Sequence, residues 1–184
     1  YQTSAMNAIE DACGVTIDPE LTALRRLLYC GEWIHSHALH IYMLHAPDFL
    51  GEPDIIHVAQ NHRAAVERGL ALKKAGNRLM ELIGGRSIHP VNVRLGGFYS
   101  VPSRADMRAM AELLRGALDD ALATVEWVSG FDFPDLTVDH ELLARTADRY
   151  AIEDGAIARS AGPVCGIAEF SDHVVESQVA HSTA

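Results

Sequence analysis

The sequence has 184 residues, of which 48% are hydrophobic and 22% charged, a balance typical of a globular chain with a sizeable core. Its formal net charge is −10 and no segment carries a basic stripe, so we expect neither nucleic acid nor an anionic membrane as a partner. No apolar run is long enough to span a bilayer, and no secretory signal is visible. The three cysteines, Cys13, Cys30 and Cys165, fit neither a disulfide framework nor a CxxC metal site. These observations predict a cytoplasmic protein.

The first quarter of the chain predicts two helices. The first runs from Thr3 or Ser4, as a hydroxyl cap, to Cys13, and Gly14 stops it. Asp18-Pro19-Glu20 then begins a helix that should continue to about Ala46, where Pro47 ends it. This helix has two apolar faces, one with Ala23, Leu27, Cys30, Ile34, His37, Ile41 and Leu44, the other with Leu24, Leu28, His35, Leu39 and Tyr42. We therefore expect residues 19–46 to form the buried central helix of a bundle.

Two more long helices follow. One should begin at His57 or Val58 and end at the Gly84-Gly85 pair. The other should begin after Ser103, with Asp106 completing a cap, and end near Ser129-Gly130. Its expected core face consists of Met107, Met110, Leu114, Ala117, Leu118, Ala121 and Val125.

The last third predicts smaller elements. Asp139 should cap a short helix to about Asp148, and residues 150–159 should form a hairpin around an Asp154-Gly155 turn. Another helix could begin at Ser171. The expected fold is mainly α, a bundle of long helices around the central helix with a small β-hairpin near 150–160. We expect one domain over 1–184, with 137–170 as a minor β-containing excursion.

The segment from Gly84 to Gly97, GGRSIHPVNVRLGG, is the first candidate for function. Two glycine pairs flank a run that contains Arg86, His89, Asn92 and Arg94, a composition that a simple helix linker does not need. Pro90 should hold His89 in an extended conformation. We expect a rigid loop that presents a histidine and two guanidinium groups.

Other polar groups carry weaker signals. His37 and His40, with His35 and His45 nearby, could share a metal, but no further ligand pair or HExxH motif completes a site, and hydrogen-bonded core histidines are the plainer interpretation. The adjacent acids Glu10-Asp11 and Asp119-Asp120 are expected to be solvated surface. The cysteines are expected to be inert buried thiols.

Several motifs in order resemble the large subunit of nickel-iron hydrogenases. They are AIEDACGV near the start, HSHALHIYMLHAPDFLG, KKAGNRLMELIGGRSIHPVNVRLGGF, YAIEDGAIARSAG and ESQVAHSTA. The resemblance covers almost the whole chain and is strongest to the cytoplasmic branch that reduces NAD(P), sulfur or a deazaflavin coenzyme.

The resemblance also implies what this chain lacks. The family holds nickel and iron through four cysteines in two CxxC pairs, and neither pair is present here. Tyr1 matches the last position of the family's first motif, RxCGxCxxxH, so we expect a middle fragment of a large subunit that binds no metal and has no catalytic residue of its own. The nickel-iron centre is implied for the parent protein only.

The resemblance assigns roles to the loop. It places Arg86, His89, Asn92 and Arg94 where the large subunit meets the iron-sulfur small subunit or behind the groups that hold a metal. His89 would either support such a group or lie next to that partner's nearest cluster, and Arg86 would fix the loop. His37 and His40 match histidines on the helix under the active site, and Ser36 stands where the membrane-linked branch commonly has an acid.

The implied function is that of an oxidoreductase: the parent reversibly oxidises molecular hydrogen to protons and electrons, while this fragment alone is inactive. The implied partners are the small subunit and cofactor-reducing subunits, and exposed apolar faces should let the fragment self-associate. The alternative is a metal-free homologue that serves as a subunit-assembly or protein-binding module.

Overall fold

The computed structural model describes residues 1–182, so the last two residues of the ESQVAHSTA motif lie outside the described part. Its helices are α1 Gln2–Cys13, α2 Pro19–Leu39, α3 Ala46–Leu50, α4 Ile55–Asn61, α5 Arg63–Gly84, α6 Arg104–Ser129 and α7 Phe170–His173. Its strands are β1 Val93–Arg94, β2 Gly97–Phe98, β3 Leu143–Thr146, β4 Ala156–Arg159 and β5 Gly162–Cys165. The mainly helical fold with small antiparallel sheets agrees with the sequence prediction.

The chain divides into two compact units, residues 1–134 and 135–184. The first contains α1 to α6 and the β1–β2 hairpin, and the second contains the β3-β4-β5 sheet and α7. The expectation of a single domain over 1–184 stays a prediction.

Local chemistry explains most helix ends. The Asp18 side chain accepts a hydrogen bond from the Glu20 amide, and the Ser103 side chain accepts one from the Asp106 amide, as predicted. Gly14 and Gly85 end α1 and α5 in the left-handed conformation. The expected hydroxyl cap of α1 is wrong, since Tyr1 precedes the helix without a side-chain cap.

The predicted helix 19–46 is interrupted. After α2, residues His40–His45 form a π-helical segment, and α3 follows directly. Pro47 does not end the helix; it lies in the first turn of α3, where its missing N–H costs no hydrogen bond. The second predicted long helix is likewise divided, into α4 and α5, which are separated at His62.

The prediction of a central helix buried on two faces is not confirmed. The buried residues of α2 form one stripe, Arg25, Leu28, Gly31 and Ala38, whereas Ala23, His37 and Leu44 of the expected core face are exposed. Nine buried residues place α5 deeper: Ala65, Gly69, Leu72, Ala75, Gly76, Leu79, Met80, Ile83 and Gly84. It packs against α2 on one side and α6 on the other.

Two clusters form the core of the first unit. One contains Leu28, Leu79, Met80, Ile83 and Met110, from α2, α5 and α6. The other contains Ala38, Tyr42, Ala65 and Leu72, which join the π-helical segment to α2 and α5. On α6, Met110 is buried as predicted, but Leu118 and Val125 are 56% and 69% exposed.

The second unit corrects two predictions. Residues 143–146 form strand β3 rather than a helix from Asp139 to Asp148, and β3 pairs with β4 through a loop that contains Gly155. The β structure near 150–160 therefore exists, but only strand β4 lies within the expected segment. Its partner β3 lies before that segment, and a third strand, β5, follows it. Helix α7 is a single short turn near the predicted Ser171.

Candidate functional site

The loop from Gly84 to Gly97 is tied to the end of α5 by its backbone. The carbonyl of Gly84 accepts hydrogen bonds from the amides of Val91 (2.8 Å) and Asn92 (3.0 Å). A Cβ at Gly84 would lie 2.8 Å from the Pro90 side chain, so only glycine permits this close approach. These hydrogen bonds join the two ends of the segment 84–92, which contains Arg86 and His89.

Asn92 closes the loop from inside. Its side-chain NH₂ donates to the carbonyls of Ile83 (2.8 Å) and Ser100 (2.7 Å), while its side-chain oxygen accepts from the Ser100 amide at 3.0 Å. A side chain whose amide is used in this way fixes geometry rather than presenting a free group to a partner. Asn92 therefore holds the two ends of the loop together.

A buried ion pair holds the second glycine pair. The Arg25 guanidinium donates to both carboxylate oxygens of Glu10, at 2.6 and 2.8 Å. Arg25 Nη2 also donates to the carbonyl of Arg94 at 3.1 Å, and the amide of Gly96 donates to Glu10 at 2.8 Å. Arg25 and Glu10 are only 1% and 5% exposed, so this pair connects α1, α2 and the β1–β2 hairpin inside the protein.

The expectation that Glu10 is solvated is wrong. Its hydrogen bonds with Arg25 lower the pKa of the carboxyl below its usual value, although burial acts in the opposite direction. The sequence contains one indication that Arg25 is buried: it lies one turn before Leu28, on the stripe of α2 that also contains Gly31 and Ala38. The pairing itself joins positions 15 residues apart on separate helices, which no helix periodicity reveals.

His89 and Arg86 are the displayed side chains of the loop. Both are exposed, as predicted. The expectation of an extended His89 is wrong: its φ is 54°, and it is the one non-glycine residue with positive φ among those described. Arg94 is exposed as well, and its guanidinium lies over the Tyr99 ring at 5.5 Å.

A cavity of about 440 Å³ lies beside the loop, and His89 forms part of its wall. Its wall also includes Glu32 and His35 of α2 and the apolar side chains of Leu28 and Met80. Burial lowers the pKa of His35, and the nearby positive charge of Lys73 lowers it further, which favours the neutral imidazole. His35 and His89 thus line the same cavity, which the sequence pattern did not indicate.

His37 and His40 do not line this cavity. Their Nδ1 atoms lie 2.7 and 2.6 Å from the carbonyls of Trp33 and Ser36, one turn earlier on the helix. Because a carbonyl oxygen can only accept, each Nδ1 donates this hydrogen bond. Both side chains are exposed, so they are hydrogen-bonded as expected but are not core residues.

The described residues do not fit a thiolate-bound metal centre. Cys13 is exposed, contrary to expectation, Cys30 is half-buried and Cys165 is buried in the second unit. Within residues 1–182, no three or more His, Cys, Asp or Glu side chains come together in a way that could hold a metal ion. A centre with four thiolate ligands needs donors that this chain does not contain.

No helix in the described part of the chain is both long and apolar enough to cross a membrane. The longest, α6, carries charged residues along its length, including Arg108, Glu112, Arg115, Asp119 and Asp120.

Several known hydrogenases are similar to this chain. The family model for nickel-dependent hydrogenases matches residues 1–68. Sulfhydrogenase 1 subunit alpha of Pyrococcus furiosus is 32% identical over 190 residues, covering 100% of this chain and 44% of the relative. Sulfhydrogenase 2 subunit alpha of the same organism is 42% identical over 112 residues, covering 61% of this chain and 27% of the relative.

One solved structure has a similar fold. The crystal structure of an NAD⁺-reducing [NiFe]-hydrogenase in its H₂-reduced state superimposes with a TM-score of 0.71 at 23% identity, over 88% of this chain and 40% of that chain. This chain spans less than half the length of these relatives. Residues 1–68 thus match the nickel-dependent hydrogenase family, and the chain as a whole is similar to hydrogenase alpha subunits.

Proposed function

We propose that this chain is the helical middle part of a hydrogenase large subunit whose complete form converts molecular hydrogen reversibly into two protons and two electrons. The observation that carries the proposal is the similarity of this whole chain to 44% of a sulfhydrogenase alpha subunit, 32% identical over 190 residues, which includes the Gly84 to Gly97 loop. The four thiolates that hold nickel and iron come from parts of the large subunit other than this chain. By itself, therefore, this chain is inactive.

The loop is the contact with an iron-sulfur small subunit in this proposal. Arg86 and His89 are exposed on a backbone held at both ends, which suits a surface that must meet a partner without rearranging. Asn92 supports the loop from inside, and Arg94 covers Tyr99. The complete enzyme would be cytoplasmic and would pass its electrons to further cofactor-reducing subunits.

The interface role is tested with Arg86→Ala and Arg108→Ala in the complete large subunit. Arg108 is a matched control, an exposed arginine on α6. We expect Arg86→Ala to weaken binding of the small subunit about tenfold or more, as for an interface arginine, and Arg108→Ala to leave it unchanged. Equal affinities for the two variants, measured by surface plasmon resonance, would refute the interface role.

The enzymatic role needs a different experiment. The complete protein with its partner should contain nickel and should reduce an electron-accepting dye in the presence of H₂. A complete protein that contains no nickel and shows no hydrogen-dependent dye reduction would contradict the proposal.

The cysteines of this chain favour one alternative: a metal-free homologue that serves in subunit assembly or protein binding. The sequence contains three separated cysteines and no CxxC pair. Such a protein would bind a partner subunit through the same loop without nickel. Stoichiometric nickel in the complete protein would exclude this alternative.

A further inference from the structure

We propose that Glu10 and Arg25 are positioning residues, which set the conformation of the Gly84 to Gly97 loop and so determine how it presents Arg86 and His89 to a partner. The consequence for partner binding rests on the interface role proposed above. The effect on the loop itself does not depend on that role.

The first argument is the choice of partners. The Glu10 carboxylate accepts from Arg25 and also from the Gly96 amide, and Arg25 donates to the Arg94 carbonyl as well as to Glu10. Arg25 also donates to the Asn7 side chain on α1 at 2.7 Å. One ion pair therefore bonds to an amide of the hairpin turn, that of Gly96, and to a carbonyl, that of Arg94.

The second argument is that the turn cannot satisfy these groups itself. Strands β1 and β2 are two residues each and pair only as Val93 with Phe98 and Arg94 with Gly97. Gly96 and Gly97 have φ values of 80° and 139°, so the turn depends on glycine and has little intrinsic preference for one conformation. Its geometry must be imposed by neighbouring side chains, and the buried ones are Glu10 and Arg25.

The third argument concerns stability. Removing two charges from water is costly, and an apolar pair of similar size is often as stabilising as a buried ion pair. Burying Arg25 to 1% exposure with its Nε lacking a partner is thus a poor route to stability alone. The guanidinium fork is suited instead to holding several acceptors at fixed positions.

Contacts at both ends of the loop then restrain His89. Gly84 and Asn92 fix the beginning, and the ion pair fixes the end at Gly96 and Gly97. His89 keeps its left-handed backbone between these anchors. If the second anchor is released, the strained residue gains freedom to relax, and the presentation of Arg86 and His89 changes.

The test compares Arg25→Lys with Arg63→Lys in the full chain. In Arg25→Lys the new ammonium group keeps the positive charge beside Glu10 but cannot extend a planar fork to the Arg94 carbonyl. Arg63 is the control, because its ion pair with Glu67 is exposed on α5. Amide hydrogen exchange is measured for residues 93–99 and, separately, for the α5 core at 72–83.

We expect exchange at residues 93–99 to rise about tenfold in Arg25→Lys while the α5 core keeps its protection, and no change in Arg63→Lys. Glu10→Gln is the second variant: it keeps an acceptor for Gly96 and loses the charge, so it should give a smaller rise in the same residues. Unchanged exchange at 93–99 in both variants, or an equal rise in loop and core, would overturn the positioning role.

Partner binding is measured in parallel on the complete large subunit. Weaker small-subunit binding by Arg25→Lys, with normal core protection, supports the presentation of Arg86 and His89 by this pair. A looser loop with unchanged binding overturns that consequence. Failure of Arg86→Ala to weaken binding would instead refute the interface role and leave the exchange result unaffected.

Discussion

His89 combines exposure with an unfavourable backbone. A positive φ costs an ordinary residue roughly 1–2 kcal/mol, and a following proline restricts the residue further. His89 has a φ of 54° and precedes Pro90. Such a conformation persists only where the surrounding structure enforces it, and here the hydrogen bonds of Gly84 and Asn92 hold the neighbouring residues in place.

Replacing His89 by glycine should therefore separate stability from binding. His89→Gly removes the strain and should raise the free energy of unfolding by up to about 1 kcal/mol, after allowance for the greater unfolded-state freedom of glycine. His89→Ala keeps the Cβ and should show no gain. Both variants should bind the small subunit more weakly. Urea denaturation that gives the two variants equal stability would contradict the account of strain.

His35 predicts a pH dependence of stability. Burial and Lys73 lower its pKa in the folded state below the ordinary value of 6.5. Below about pH 6.5 the unfolded chain then binds a proton more readily than the folded chain, so stability falls as the pH decreases through the folded-state pKa. His35→Gln should flatten this decrease, whereas His140→Gln, an exposed histidine, should not. Identical pH profiles for His35→Gln and the original protein, measured by urea denaturation between pH 4.5 and 8 (roughly the range in which histidine titrates), would contradict this prediction.

Helices α2 and α5 approach closely because two glycines face each other. A Cβ added at Gly76 would lie 2.5 Å from the backbone nitrogen of His35 and 2.7 Å from the carbonyl oxygen of Gly31. Both obstacles are main-chain atoms of α2, which cannot rotate away as a side chain can. The packing of these two helices, and with it the position of His35, depends on the missing side chain.

Gly76→Ala should therefore destabilise the protein by about 2 kcal/mol or more, in spite of alanine's better helix propensity. Gly116→Ala on α6 is the matched control, since no atom lies within 4 Å of its added Cβ. It should stabilise by roughly 0.5–1 kcal/mol. The two changes are measured by the same chemical denaturation, and a stabilising Gly76→Ala would show that α2 and α5 are less closely fixed than described.

Elements whose ends depend on local chemistry were predictable from the sequence. Asp18, Ser103, Gly14 and Gly85 end or begin helices through their own hydrogen bonds or backbone preferences. The π-helical segment His40–His45 was missed, because the register in which Tyr42 enters the core is set by packing against α5. The prediction of a helix at strand β3 is wrong, since the residues of its partner β4 lie ten or more positions away in the sequence.

The candidate loop could also be predicted from local sequence, but the contacts that hold it in place could not. Glycine pairs and a displayed histidine can be recognised in one short segment. The Glu10–Arg25 pair links α1 and α2 to a loop about 70 residues further along the chain, as the distance in sequence from Arg25 to Arg94 shows. Only the folded arrangement reveals that contact, and the same is true of His35 beside the cavity that His89 lines.

At the scale of the whole chain, the apolar side of α6 extends beyond the core. Leu118, Leu122 and Val125 are 56%, 62% and 69% exposed, and their spacing places them on one stripe of the helix. Isolated exposed leucines are ordinary, whereas an exposed apolar stripe of this kind is typical of an association surface. We expect a second copy of this chain to cover it in solution, against the repulsion of a net charge of −10.

Leu122→Glu should reduce this self-association by placing a charge in the middle of the stripe. Leu70→Glu adds the same charge at an exposed leucine of α5, 48% exposed, and so controls for the general effect of a more negative protein. The average mass of the original chain should rise with concentration in multi-angle light scattering, that of Leu70→Glu should follow it, and that of Leu122→Glu should stay closer to the monomer. A strict monomer at every concentration, or an equal effect of the two substitutions, would show that α6 is not the association surface.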